Sequence, residues 1–219
     1  MLTKYQEARH EIRGDVVSLI ALLANVNQEA LTALENADTS TLEKVRAKLK
    51  GVSKITEKID NDIVLLFARY TPEAKDLREM VSYLKITSAI NRIRTNINNY
   101  LKNMQSMLSE EDVNIIQFIK ESLSINRCTI HAFNKTLEMF QTFDDNDKIK
   151  KLAVEIDVEY AKTDDIYAML EKSVVQKMGE GRAEEYFNLL KYIRKNLKII
   201  DRLDSMAQRV IFARMGGKL

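Results

Sequence analysis

The run Tyr83-Leu84-Lys85-Ile86-Thr87-Ser88-Ala89-Ile90-Asn91-Arg92-Ile93-Arg94-Thr95-Asn96-Ile97-Asn98-Asn99-Tyr100-Leu101-Lys102-Asn103-Met104-Gln105-Ser106-Met107 decides the fold of this chain. Tyr83, Ile86, Ile90, Ile93, Ile97, Tyr100, Met104 and Met107 alternate steps of three and four. Side chains so spaced share one stripe of an α-helix, whereas a strand would need every second residue. A stripe sustained over this length is a seam for packing against other helices.

The same rhythm extends outward in both directions. Upstream it runs through Ile12, Val16, Leu19, Leu23, Val26, Ala30 and Ala33, and again through Leu42, Val45, Leu49, Val52, Ile59, Ile63 and Leu66. Downstream it takes in Ile116, Ile119, Leu123, Asn126, Ile130, Phe133, Leu137 and Phe140, with Asn126 as its polar member. A patchier stripe uses Ile149, Leu152, Ile156, Ile166, Leu170 and Val174, and a last one runs from Tyr186 to Phe212. Composition agrees. Six Gly and one Pro in 219 residues fall far below the roughly 12% combined share of an ordinary domain, which excludes a fold built on tight turns.

Punctuation sets the boundaries. Ser40 with Glu43 reads as a capping box, Ser109 with Asp112 as a looser one, and Thr71-Pro72-Glu73 as a hydroxyl cap, a first-turn proline and an acid at the positive dipole end. Asp144 to Asp147, Gly179-Glu180-Gly181 and Gly216-Gly217 read as further breaks. Six helices are predicted over about 4–36, 40–70, 72–107, 110–143, 147–178 and 182–214, each roughly 45 Å long. Ile90, Ile93, Ile97 and Tyr100 align with Ile200, Leu203, Ala207 and Val210 at an offset of 110. The chain therefore reads as all-α: two tandem antiparallel three-helix bundles, 1–107 and 108–219, related by a pseudo-twofold axis.

A formal charge of +2 gives no global field for nucleic acid, and no aromatics interleave with the basic residues to stack bases. One cysteine, Cys128, rules out an intrachain disulfide. The first 30 residues lack the features of a signal peptide, and no apolar run approaches the roughly 20 residues of a membrane span. A cytoplasmic protein, not inserted in the membrane, is expected. No nucleophile–base pair and no phosphate-cradling glycine loop is present, so an enzyme is not expected. Cys128 and His131 share a helix face without a third ligand and read as outer-face residues, and His10 reads as a solvated side chain. Residues 144–171 hold nine acids and four bases, whereas residues 191–219 hold eight bases and two acids. Arg194, Lys198 and Arg202 form a stripe, expected to be neutralised by the acidic helix before it.

The most specific stretch is Leu66-Phe67-Ala68-Arg69-Tyr70-Thr71-Pro72-Glu73-Ala74-Lys75-Asp76-Leu77-Arg78. Physically it is a helix end, a turn and a helix start, with Arg69, Asp76 and Arg78 expected to form a charged hinge between the two helices. Its pattern of Leu, Ala-Arg, Pro, Ala and Asp-Leu-Arg closely resembles the signature of the PhoU family of phosphate-uptake regulators, carried by Arg69, Pro72, Asp76 and Arg78. The resemblance continues in Ile59-Asp60, Leu84-Lys85-Ile86 and Ile90-Asn91-Arg92-Ile93, and more weakly in Thr163-Asp164-Asp165-Ile166-Tyr167 and Ile200-Asp201-Arg202-Leu203.

The resemblance implies a non-enzymatic cytoplasmic regulator of phosphate homeostasis. It would bind the phosphate ABC transporter and its sensor histidine kinase, touch membrane proteins only from outside the bilayer, and restrain phosphate uptake and starvation signalling; a homodimer fits it as well. It also implies acid-x-x-x-Asp motifs on the second and third helices of each repeat, which in some members bind iron or another divalent metal. Here the motifs are eroded, reading Thr56/Asp60 and Asn91/Thr95 in one half and Tyr160/Asp164 and Asp201/Ser205 in the other. Asp60, Asp164 and Asp201 remain as candidate metal ligands, too few for a multinuclear centre, so no cofactor is expected. Glu57, Asp62, Asp157 and Asp204 lie nearby but point elsewhere by helical phase, and Asn91 and Thr95 are expected at the surface. Two alternatives stand beside the regulator: a metal-binding helical bundle, and an accessory protein of a different phosphate carrier.

Overall fold

The computed structural model describes residues 2–142, 144–177 and 182–217. Its elements in order are α1 (Leu2–Glu35), α2 (Thr39–Ala47), α3 (Val52–Arg69), α4 (Ala74–Leu108), α5 (Val113–Gln141), α6 (Asn146–Lys177) and α7 (Ala183–Met215), with no strand among the described residues. The predicted break at Gly179–Gly181 lies outside them.

Every member of the Tyr83–Met107 stripe is buried, as are all seven stripe residues of α1. One prediction fails in detail, because the expected second helix is two. Leu49 and Lys50 donate their amides to carbonyls three residues back, at 3.2 and 3.1 Å, and Gly51 takes φ +87° before α3 begins. Tight turns of this kind end an α-helix, and the left-handed residue that follows favours glycine. The apolar stripe hides the break, since Leu42, Val45, Leu49 and Val52 are all buried across it.

At α2 and α5 the caps differ from those predicted because a carboxylate outcompetes a hydroxyl, whereas the α4 N-cap makes no side-chain cap bond. Asp38, not Ser40, caps α2, accepting the Thr41 amide at 3.0 Å. Asp112 caps α5 by accepting the amides of Asn114 and Ile115, while Ser109 closes α4. Pro72 precedes the α4 N-cap, which is Glu73. Gly216 follows α7 as expected, its amide donating to the Phe212 carbonyl at 2.9 Å.

Helices α1 to α4 pack on one another, and α5 to α7 do the same. The two groups join along α1 against α5 and, most extensively, α4 against α7. The latter pair runs antiparallel: Arg78 at the start of α4 lies beside Gly216 beyond the end of α7, and Arg92 shares a groove with Arg202. Between the groups the core turns polar. Buried Asn126 accepts a hydrogen bond from the buried Tyr100 hydroxyl at 3.0 Å, which explains the polar member of the α5 stripe. Within the α5–α7 group, the Thr129 hydroxyl donates to the Ile125 carbonyl at 2.9 Å and lies 3.5 Å from Asn196 Oδ1.

The expectation that no segment is apolar enough for a membrane needs correction. Lys4–Glu35 of α1 is long and apolar enough to cross one by length and composition. Its stripe Val16, Leu19, Leu23 and Val26 is buried in the core here.

Candidate functional site

The turn between α3 and α4 is locked from α1. Arg9 lies on the face of α1 that meets the first turns of α4, and its guanidinium reaches Asp76 Oδ1 at 2.9 Å and Glu79 Oε2 at 2.6 Å. Tyr5, one turn earlier, donates to Asp76 Oδ2 at 3.0 Å and stacks edge-on against Tyr70, with ring centroids 5.4 Å apart. Glu79 is only 4% exposed and accepts a second bond from the Tyr83 hydroxyl at 2.8 Å. Burial by itself would push the Glu79 carboxyl up, but the Arg9 charge and the bonds from Tyr83 and Arg9 hold it below its ordinary range. Burial and the bond to Asp76 push the Tyr5 hydroxyl up to about 12.

This corrects the expected hinge of Arg69, Asp76 and Arg78. Asp76 points to α1 rather than back across the turn, so its partner comes from more than sixty positions away in the chain. Arg69 is exposed at the rim of a cleft that Pro72 and Asp76 also line. The Arg78 side chain lies against Gly216, with Nε buried and, among the described residues, without a hydrogen-bond partner. It joins α4 to the end of α7 rather than α3 to α4.

The eroded carboxylate positions do meet, but as a hydrogen-bonded set. Asp60 accepts from the Thr87 hydroxyl at 2.6 Å. The Asn91 amide donates to the Thr56 hydroxyl at 2.7 Å and accepts from Ser53 at 3.1 Å. Thr56 is fully buried and Asn91 is half-buried, while Thr95 is exposed as expected. One carboxylate among neutral groups already bonded to each other does not suit a multinuclear centre of hard cations. In the other half, burial and then the charges of Asp164, Asp201, Asp204 and Asp157 push the Tyr160 hydroxyl up. Burial, followed by Asp157, pushes up the Asp204 carboxyl. Asp157 and Asp204 therefore sense each other across α6 and α7, where helical phase had set them apart. Among the described residues no group of three or more His, Cys, Asp or Glu side chains is arranged to hold a metal ion.

The basic stripe of α7 is not neutralised by α6. Glu155 and Glu159 of α6 turn instead to α5, in Lys135–Glu155 at 2.7 Å and His131–Glu159 at 3.9 Å, and among the described residues no ion pair links α6 to Arg194, Lys198 or Arg202. Lys198 and Arg202 face α4 across a groove of about 610 Å³ that also holds Asp60, Asn91 and Arg92. Cys128 is likewise not an outer-face residue. It is buried, and burial together with its hydrogen bond to Glu159 pushes the thiol up to about 11. A thiol so held stays protonated and unreactive.

Two helical groups joined along α4 and α7, with extended faces between short turns, define an all-α bundle. Residues 16–104 match the family described as PhoU domain. Across 215 residues the chain is 24% identical to the phosphate-specific transport system accessory protein PhoU homolog 1 of Thermotoga maritima, covering 94% of this chain and 86% of that protein. It is 30% identical over 83 residues to the PhoU homolog of Pseudomonas putida, covering 38% of this chain and 32% of that one. The crystal structure of PhoU from Pseudomonas aeruginosa overlays with a TM-score of 0.75 at 20% identity, covering 95% and 98% of the two chains. That of the phosphate transport system regulatory protein PhoU from Streptococcus pneumoniae reaches 0.79 at 16% identity, covering 98% and 99%. Residues 16–104 are thus similar to the PhoU domain, and the chain as a whole has the fold of the solved PhoU structures.

Proposed function

We propose that this chain is an accessory protein of a phosphate transport system. It restrains phosphate uptake and phosphate-starvation signalling by binding the cytoplasmic side of a phosphate ABC transporter and its sensor kinase, without catalysing a reaction. The observation that carries the reading is the likeness over 94% of the chain to a protein named as such an accessory. The fold supports it, because long paired helices present extended faces suited to the helices of another protein. On this reading residues 1–107 and 108–219 are two repeats of one unit.

The test is deletion of the gene in phosphate-replete cells, paired with a pulldown of transporter from membrane extract. Phosphate-starvation genes are expected to switch on and phosphate to accumulate. Unchanged expression and uptake would overturn the reading, and capture of a secondary phosphate carrier in place of the ABC transporter would redirect it to that carrier. Metal is not required on this proposal, so chelator-treated protein is expected to bind as untreated protein does.

A further inference from the structure

The cationic stripe that α6 leaves uncompensated meets a second set of positive charge on α4. Arg92 of α4 and Lys198 and Arg202 of α7 line the same groove, together with Ser88 and Asn96 of α4 and Asp60 of α3. Among the described residues, neither Arg92 nor Lys198 has an ion pair, and Arg202 has only its chain neighbour Asp201, at 3.7 Å. Arg92 and Arg202 are 110 positions apart, as are Ser88 and Lys198, the same offset that aligns the stripes of the two halves. Because α4 and α7 run antiparallel, corresponding positions are brought to one place, and the groove sets like charge against like charge.

We propose that this groove binds a phosphate or phosphoryl oxyanion through Arg92, Lys198 and Arg202, so that the anion is held by both halves of the molecule at once. Concave cationic surfaces focus potential and raise the local concentration of anions. A guanidinium offers two parallel donors matched to two phosphate oxygens, and an ammonium adds a point charge. The Ser88 hydroxyl and the Asn96 amide are neutral donors available in the same lining. Asp60 is the one carboxylate in the lining among the described residues. Its bond to Thr87 draws it toward α4, and it opposes an anion, which gives the proposal a sign test. The site does not rest on the transport role, since binding is read on the purified chain alone.

The same chemistry is offered by free phosphate and by a lipid headgroup, and two probes separate them. Isothermal titration would use inorganic phosphate. Co-sedimentation would use phosphatidylcholine vesicles with and without phosphatidic acid. Saturable binding is expected to one of the probes, in the vesicle arm only when phosphatidic acid is present. It should weaken by roughly tenfold or more in the double variant Lys198→Gln/Arg202→Gln and tighten in Asp60→Asn. Arg92→Gln, at an exposed position that does not endanger the core, is expected to weaken it too and carries the test should the double variant not fold. Lys120→Gln on α5, outside the groove, should leave binding unchanged. Absence of binding to both probes would overturn the proposal, as would equal loss in Lys120→Gln, loss in Asp60→Asn, or unchanged binding in the groove variants.

Discussion

Arg9 is the residue on which most of the charged chemistry at the α3–α4 turn converges. Exposed pairs such as Lys48–Glu29 contribute at most about 1 kcal/mol. Arg9 instead holds a carboxylate, Glu79, that is almost wholly buried. Removing one partner of such a pair leaves an uncompensated buried charge, so Arg9→Ala is expected to cost about 3 kcal/mol, read as a lower urea midpoint. Glu79 also sets a pH dependence. Its folded carboxyl sits below the ordinary value of 4.5, so the unfolded chain takes up protons first as the solution is acidified. The stabilisation is therefore full above that value and is lost as pH falls through the lower folded one. Urea midpoints measured downward from neutral pH should fall on the acid side in the native chain and fall less in Glu79→Gln. At the junction of the two groups, Tyr100→Phe removes the hydroxyl that satisfies Asn126 Oδ1, where the Asn126 amide nitrogen already lacks a partner among the described residues. A loss of about 1–3 kcal/mol is expected, measured by the same titration.

At the scale of the element, the break between α2 and α3 depends on one backbone conformation. A Cβ built on Gly51 meets no atom within 4 Å, so Gly51→Ala isolates the cost of a left-handed backbone, about 1 kcal/mol. A drop in thermal midpoint without loss of helicity is the expected outcome, and an unchanged midpoint would show that α2 and α3 can merge. This break marks the boundary of what the sequence makes legible. Helix existence was readable wherever apolar steps of three and four persist, as in Tyr83–Met107. The interruption was not, because Leu49 and Val52 keep the stripe in phase across it. Caps were readable only to within a few positions, since Ser40 and Asp38 both offer oxygen and only geometry chooses. The candidate site divides in the same way. Four-residue spacing puts Thr56 with Asp60 on one face of α3 and Asn91 with Thr95 on one face of α4, while the meeting of those two faces was implied by the resemblance and not by spacing. The partners of Asp76 and of Lys198 did not emerge, because they lie on helices far away in sequence, and local spacing carries no information about which helix stands opposite.

The whole molecule is organised by α4 and α7, which join the two groups and form the walls of the cationic groove. A ligand held there would stabilise the folded chain in proportion to the logarithm of its concentration above Kd. Whichever of the two probes binds, inorganic phosphate or phosphatidic acid, is accordingly expected to raise the thermal midpoint of the native protein and not that of Lys198→Gln/Arg202→Gln, a check that needs no knowledge of a partner. The antiparallel seam has a further consequence, in time rather than in space. It joins residues such as Arg92 and Arg202 that are 110 positions apart, and contacts that close so long a stretch of chain come at an entropic cost that near-neighbour helix pairs avoid. Hairpins such as α5–α6 are then expected to form early and the docking of α4 on α7 last. In stopped-flow refolding, far-ultraviolet circular dichroism should recover ahead of the tyrosine fluorescence, to which the buried Tyr83, Tyr100 and Tyr186 contribute. Coincident recovery in a single exponential would mean that helices and seam form in one step.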